Sequence, residues 1–322
     1  MAERQEPVDL VYTWVDDGFP GYLDLLNRYV ADRRDTNPNR TRDNLDIIRY
    51  SLRSVARNLP GIRRIYFVSM RPQVPDWLNL DHPRLQVVHH DRIMDPAILP
   101  TFNSFCIVSH LHLLPGLSRR FLYVEDDMLV MTPRYHDSLF APDGRPYVHL
   151  KPMTVVPSDR LDPATESPWN LALANADAAL SGRFGAGPRN HVIHGPQIMD
   201  RDVCAEMAEA FADLIAATRA ARFRGGDNVP PEFLARHLAL ETGAAVRAPW
   251  SLSRRVQGYV SVENLLPWTW AQLARVKARR TQTVTLNDSF GRAPNPRVVA
   301  LVRRQLQAWF PEPCPFETAA AN

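Results

Sequence analysis

Phe121-Leu122-Tyr123-Val124-Glu125-Asp126-Asp127 decides the fold class, because four apolar residues run without a break into three acids. A short apolar run of this kind reads as a strand buried on both faces. Ile65-Tyr66-Phe67-Val68-Ser69 and Leu85-Gln86-Val87-Val88 have the same character, and Val8 to Val15 forms a first strand stopped by Asp16-Asp17-Gly18. Between them lie helical patterns. One runs through Tyr22, Leu25, Leu26 and Tyr29; another through Ile47, Ile48, Leu52 and Val55, closed by Pro60-Gly61; a capped helix is expected over Thr101 to Leu114. The polar run Arg33 to Arg42 reads as a loop. Strands alternating with helices predict βαβ units and a mainly parallel sheet, hence an α/β protein. Ligands of such sheets bind beyond the carboxyl ends of the strands, where Asp16-Asp17 and Asp126-Asp127 fall.

The C-terminal half is expected to be more helical. Ala205 to Ala221, Pro231 to Thr242, Leu265 to Arg279 and Pro296 to Phe310 read as helices, and Val284-Thr285-Leu286 as a short strand ending in Asn287-Asp288. Glu317 to Asn322 reads as a frayed tail. The division expected is an α/β half over 1–150 and a helix-rich half over 151–322 that completes one catalytic pocket.

With 322 residues, 45% of them hydrophobic, the chain can bury a full core. A formal net charge of +3 is too balanced for a dedicated nucleic-acid binder. Nearly all its cations are arginines, the lysines being Lys151 and Lys277. Cys106, Cys204 and Cys314 are widely spaced and fit no zinc or disulfide pattern, so reduced thiols in a cytoplasmic setting are expected. No stretch approaches the length of a spanning helix.

Carboxylates at a strand end suit Mg²⁺ or Mn²⁺ held against a diphosphate, since hard cations prefer oxygen. An isolated Asp-Asp pair reads equally as a solvated turn. His191 and His194 stand three residues apart; without further ligands zinc is a poor reading, and a general base or a packed histidine are the alternatives. Arg222-Phe223-Arg224-Gly225-Gly226-Asp227-Asn228 is a basic, glycine-containing loop suited to phosphate oxygens. The P-loop, GxGxxG, HExxH and GxSxG motifs are all missing, which argues against P-loop kinases, dinucleotide enzymes, these metalloproteases and serine hydrolases.

Taken in order, these segments resemble the Stealth family of sugar-phosphate transferases of bacterial capsule synthesis, relatives of an animal N-acetylglucosamine-1-phosphotransferase. Asp9-Leu-Val-Tyr-Thr-Trp14-Val-Asp16 resembles its first block. The second runs from Arg49-Tyr-Ser-Leu-Arg53-Ser through Pro75-Asp-Trp77 and Phe102-Asn103-Ser to Glu125-Asp126-Asp127. His191-Val-Ile-His194 with the Arg224 loop resembles the third, and Leu286-Asn287-Asp288 the fourth. Glu125 stands where Asn is common, Thr285 where Cys is common, and Gly225-Gly226 where bulkier residues are common.

The resemblance implies a Rossmann-like, glycosyltransferase-A-like α/β fold, with residues 1–150 binding a nucleotide sugar. It implies catalytic roles for His194, Asp127 and Arg224. Asp126, Asp127, Asn287 and Asp288 would surround Mg²⁺ or Mn²⁺. Asp9, Trp14, Asp16, Arg49, Arg53, Asn103, Asp126, His191 and Asp227 would shape the donor side. The reaction implied moves a sugar 1-phosphate from a nucleotide sugar, UDP-linked by expectation, to a hydroxyl of a glycan or small acceptor. Peripheral association with export machinery is expected, and no nucleic acid. The rivals are a metal-dependent glycosyltransferase, which attacks the anomeric carbon, and a catalytically silent binding protein.

Overall fold

The runs that read as buried strands form them. The computed structural model describes residues 6–30, 45–290 and 293–318. In it β1 (Val8–Trp14), β2 (Ile65–Ser69), β3 (Leu85–His89) and β4 (Arg120–Glu125) lie parallel, in the order β3-β2-β1-β4. The pairing of Trp14 with Ser69 and of Thr13 with Glu125 lines up their carboxyl ends, so the loops carrying Asp16-Asp17 and the three acids leave from one edge.

Only Asp126 and Asp127 separate β4 from β5 (Met128–Val130). The chain continues through β6 (Tyr147–Val148), β7 (Leu150–Thr154), β8 (Asn190–Val192), β9 (Gln197–Asp200), β10 (Val246–Arg247), β11 (Gln257–Val262) and β12 (Thr283–Asp288). β9 joins the main sheet antiparallel to β4. β5 pairs antiparallel with β12, which pairs in parallel with β11. The acids therefore sit where the backbone crosses from one sheet to another.

The second half is the more helical, as expected, but it also carries later strands that the sequence reading did not place. They are short and half-polar, which hides the period of two on which sequence reading depends. The long helix expected over Ala205 to Ala221 is two helices, Arg201–Ala210 and Ala212–Ala220, broken at Phe211, whose buried ring anchors a non-helical residue (φ −125°, ψ 41°). The helix expected over Thr101 to Leu114 shortens to Ser104–Ser109 plus a 3-10 turn at Leu111–Leu113. Pro168–Phe184, capped by the Ser167 side chain on the Asn170 amide, was not legible in the sequence.

The tail is corrected too. Glu317 is buried, and its carboxylate accepts from Arg49 Nε (2.6 Å), Arg53 Nε (2.6 Å) and Nη2 (2.7 Å), and the Cys314 amide (2.9 Å). Residues 33–42 and 319–322 of the expected loop and tail lie outside the described residues. Tyr66 and Tyr123 share a core cluster with Phe233 and Leu234, so residues 1–150 and 151–322 pack on common apolar side chains. The three cysteines are free and buried. No helix among the described residues is long and apolar enough to cross a membrane.

Candidate active site

β4 ends at Glu125, and Asp126 and Asp127 form the turn into β5, so the bend of the chain decides which of the three acids meet. Glu125 and Asp127 come together with His194, which stands in the turn between β8 and β9. His194 Nε2 lies 3.4 Å from Asp127 Oδ2 and 3.9 Å from Glu125 Oε2, and one ligand atom from each residue lies within 4.8 Å of the others.

The backbone holds this group from several sides. The Leu286 amide donates to the Asp127 carbonyl (2.9 Å), and the Thr285 hydroxyl to the His194 carbonyl (2.8 Å). The Tyr135 hydroxyl donates to the Pro196 carbonyl, and Gln197 Nε2 to the Ile193 carbonyl (3.2 Å). Thr285 thus does structural service as a hydrogen-bond donor where the family often has Cys.

Burial alone would lower the pKa of His194, but the Glu125 and Asp127 carboxylates outweigh it and push it up to about 9. Burial raises the Glu125 carboxyl, with the attraction of His194 opposing it and the charge of Asp127 adding to it. Asp127 Oδ1 is buried without a hydrogen-bond partner. An orphaned carboxylate oxygen beside a second carboxylate and an imidazole is a donor set that fits a divalent cation.

The group opens on a cleft of about 440 Å³, whose lining includes Lys151, His191, Glu232, Arg236, Arg275 and Arg279. Arg236 is only 6% exposed, yet among the described residues its guanidinium has no ion pair or hydrogen bond, and its Nε is fully buried. Glu232, one helical turn earlier, has a buried unpaired oxygen and a carboxyl raised by burial and then by Glu125. Glu125, Glu232, Arg236 and Lys151 are functional candidates that sequence reading missed. Their signal was faint: a charged pair spaced i, i+4 in the apolar helix Pro231–Glu241, and one of two lysines in the chain.

Arg224 is placed beside the cleft rather than on its lining. Its Nε donates to Ser104 Oγ (3.1 Å), its guanidinium lies 4.7 Å from the Phe105 ring, and its charge acts on Glu125 and Glu232. Asp227 accepts from Asn228 Nδ2 (3.1 Å), and a Cβ on Gly225 would stand 2.5 Å from Asp227 Oδ1. A larger residue at position 225 would therefore displace the Asp227 carboxylate.

Several residues expected on the donor side have other partners. Asp9 sits at the amino end of β1, fully buried, paired with Arg63 and accepting from the Ser118 amide (2.7 Å). That is the edge opposite the acids, so its donor-site role is corrected to a structural ion pair. Asn103, also fully buried, caps the helix Ser104–Ser109 and donates to Asn228 Oδ1 (2.9 Å) and the Ala221 carbonyl (3.0 Å), which fixes the Arg224 loop. Arg49 and Arg53 are engaged by Glu317, and Trp14 packs on Phe67 in the core. Asp16 accepts from the Gly18 amide in its own turn (2.8 Å). Asp126 and Asp288 do not join the convergent group, and Asn287 and Asp288 end β12 beside Ser261 and Val262. His191 lines the cleft.

Residues 40–148 match conserved region 2 of the Stealth proteins and residues 193–241 match conserved region 3. An exopolysaccharide phosphotransferase of Streptomyces coelicolor is 35% identical over 99% of this chain and 53% of its own length. The exopolysaccharide phosphotransferase CpsY of Mycobacterium tuberculosis is 32% identical over 98% of this chain and 59% of its own. The chain thus spans about half the length of these curated relatives. Among solved structures it is similar in fold to the galactosyltransferase LgtC, at 10% identity and a TM-score of 0.43, over 94% of this chain and 95% of that one. With both conserved regions present and relatives matching along nearly its whole length, the chain belongs to the Stealth family.

Proposed function

We propose that this chain transfers a sugar 1-phosphate from a nucleotide sugar to a hydroxyl of a glycan in exopolysaccharide synthesis. The observation that carries the reading is the convergence of Glu125, Asp127 and His194 on a cleft otherwise rich in cations. The carboxylates of Glu125 and Asp127 would hold Mg²⁺ or Mn²⁺, which when bound neutralises the diphosphate and its leaving group. A UDP-sugar such as UDP-N-acetylglucosamine is the donor proposed, and cytoplasm, where such donors are made, the location.

In the transfer the acceptor oxygen bonds to the phosphorus that bears the sugar. The bond from that phosphorus to the bridging oxygen breaks, and nucleoside monophosphate leaves with the electron pair. The Glu125 and Asp127 carboxylates hold the imidazole protonated up to about pH 9. With a cation taking up their charge, His194 would be neutral and take the acceptor proton at Nε2, a step that typically contributes roughly 10²–10⁴-fold. Lys151 and Arg236, on the cleft lining, supply positive charge around the equatorial oxygens, and Arg224 adds to the field from beside the cleft. Turnover of a nucleotide-sugar panel by Asp127→Ala and His194→Ala variants tests the site, and full turnover by both would overturn it.

A further inference from the structure

A second cavity, of about 830 Å³, shares Val276, Arg279 and Thr281 with the catalytic cleft. Its lining carries five cations, Arg134, Arg255, Lys277, Arg279 and Arg280, all exposed, against the single acid Asp137 among the described residues. Several arginines elsewhere are matched by carboxylates, as in Arg63 with Asp9, Arg71 with Asp91, Arg145 with Asp143 and Arg189 with Glu241. The five cations of the groove have no ion pair and no side-chain hydrogen bond among the described residues. A concave surface of one sign focuses the opposite charge.

Two further observations point to a ligand rather than to solvated charge. Thr281, on the wall common to both cavities, is buried, and its hydroxyl has no hydrogen-bond partner. Trp309, half-buried, adds an aromatic face of the kind on which a sugar ring packs.

We propose that this groove holds the acceptor, and that the acceptor is a polyanionic glycan whose sugars are joined by phosphodiesters. The proposal rests on the sugar-phosphate transfer reading, because that reaction adds one negative charge to its product at each step. A growing chain would lie along the Arg134–Arg255–Lys277 side and pass Arg279 and Thr281 to present its terminal hydroxyl in the cleft. The groove thereby favours acceptors that already carry phosphodiesters over neutral ones.

The test is equilibrium binding with no donor present, so it is read without turnover. Fluorescence anisotropy would follow a labelled sugar-phosphodiester tetramer, its neutral tetrasaccharide counterpart and a single-stranded tetranucleotide, each over a salt series. The expected result is tight binding of the phosphodiester glycan that weakens steeply with salt, and a loss of about tenfold or more in the triple variant Arg134→Gln, Arg255→Gln, Lys277→Gln. The charge-retaining Arg134→Lys, Arg255→Lys variant should bind within about threefold of wild type, which separates charge from folding. Equal affinity for the neutral glycan, unchanged binding by the triple variant, or tighter binding of the tetranucleotide would each overturn the proposal. A chain that binds the anionic glycan yet releases no nucleoside monophosphate would instead overturn the transfer reading and leave the groove standing.

Discussion

Glu317→Gln should both destabilise the protein and flatten the acid limb of its stability profile. The native carboxylate is 1% exposed and accepts hydrogen bonds from Arg49, Arg53 and the Cys314 amide. Burial would raise its pKa, but the hydrogen bonds from Arg53 and then Arg49 dominate and lower it from 4.5 to about 2. At about 1.4 kcal/mol per unit, that difference corresponds to roughly 3 kcal/mol of folding free energy. The folded pKa is depressed, so this stability is fully present above pH 4.5 and is lost as the pH falls toward 2. Removing the charge leaves the buried Arg53 guanidinium short of its counter-ion, a loss of about 3–5 kcal/mol for a broken buried pair. Urea unfolding from pH 7 to pH 3 measures both effects. A variant within about 0.5 kcal/mol of wild type at pH 7, with an unchanged pH profile, would refute the reasoning.

Glu125→Gln and Asp127→Asn should each lower the His194 pKa from about 9, by at least about one unit, and weaken Mn²⁺ binding about tenfold; imidazole NMR and Mn²⁺ titration read the two effects. Arg236→Met should raise KM for the donor about tenfold without lowering Tm, since it removes an unpaired buried cation; a lower Tm with unchanged KM would make Arg236 structural. Gly225→Ala should cut kcat several-fold by displacing Asp227 and the Arg224 loop, while a melting curve shows the fold intact.

The parallel core was legible because each of its strands is an uninterrupted apolar run, and burial on both faces leaves that signature in sequence. β7 to β11 were not, because short strands packed on one side carry two or three informative residues each. Asp127 and His194, both named from the sequence, are brought together by the fold. Asp126 was chosen over Glu125 because the resemblance weights the paired Asp, whereas the turn by which the chain leaves β4 sets Glu125 and Asp127 around His194. Arg49, Arg53, Asp9 and Asn103 share a different reason. Their partners Glu317, Arg63 and Asn228 lie 54 to 268 positions away, and no local pattern reveals that a polar side chain is satisfied at such range.

The central claim is that phosphorus, not the anomeric carbon, is attacked. The most direct measurement is the product mixture from a UDP-sugar, acceptor and Mn²⁺, with the nucleotide separated by chromatography and the glycan examined by ³¹P NMR. Release of UMP with a new phosphodiester resonance in the glycan is the result predicted. Release of UDP with a phosphorus-free glycan would contradict it and make the chain a glycosyltransferase.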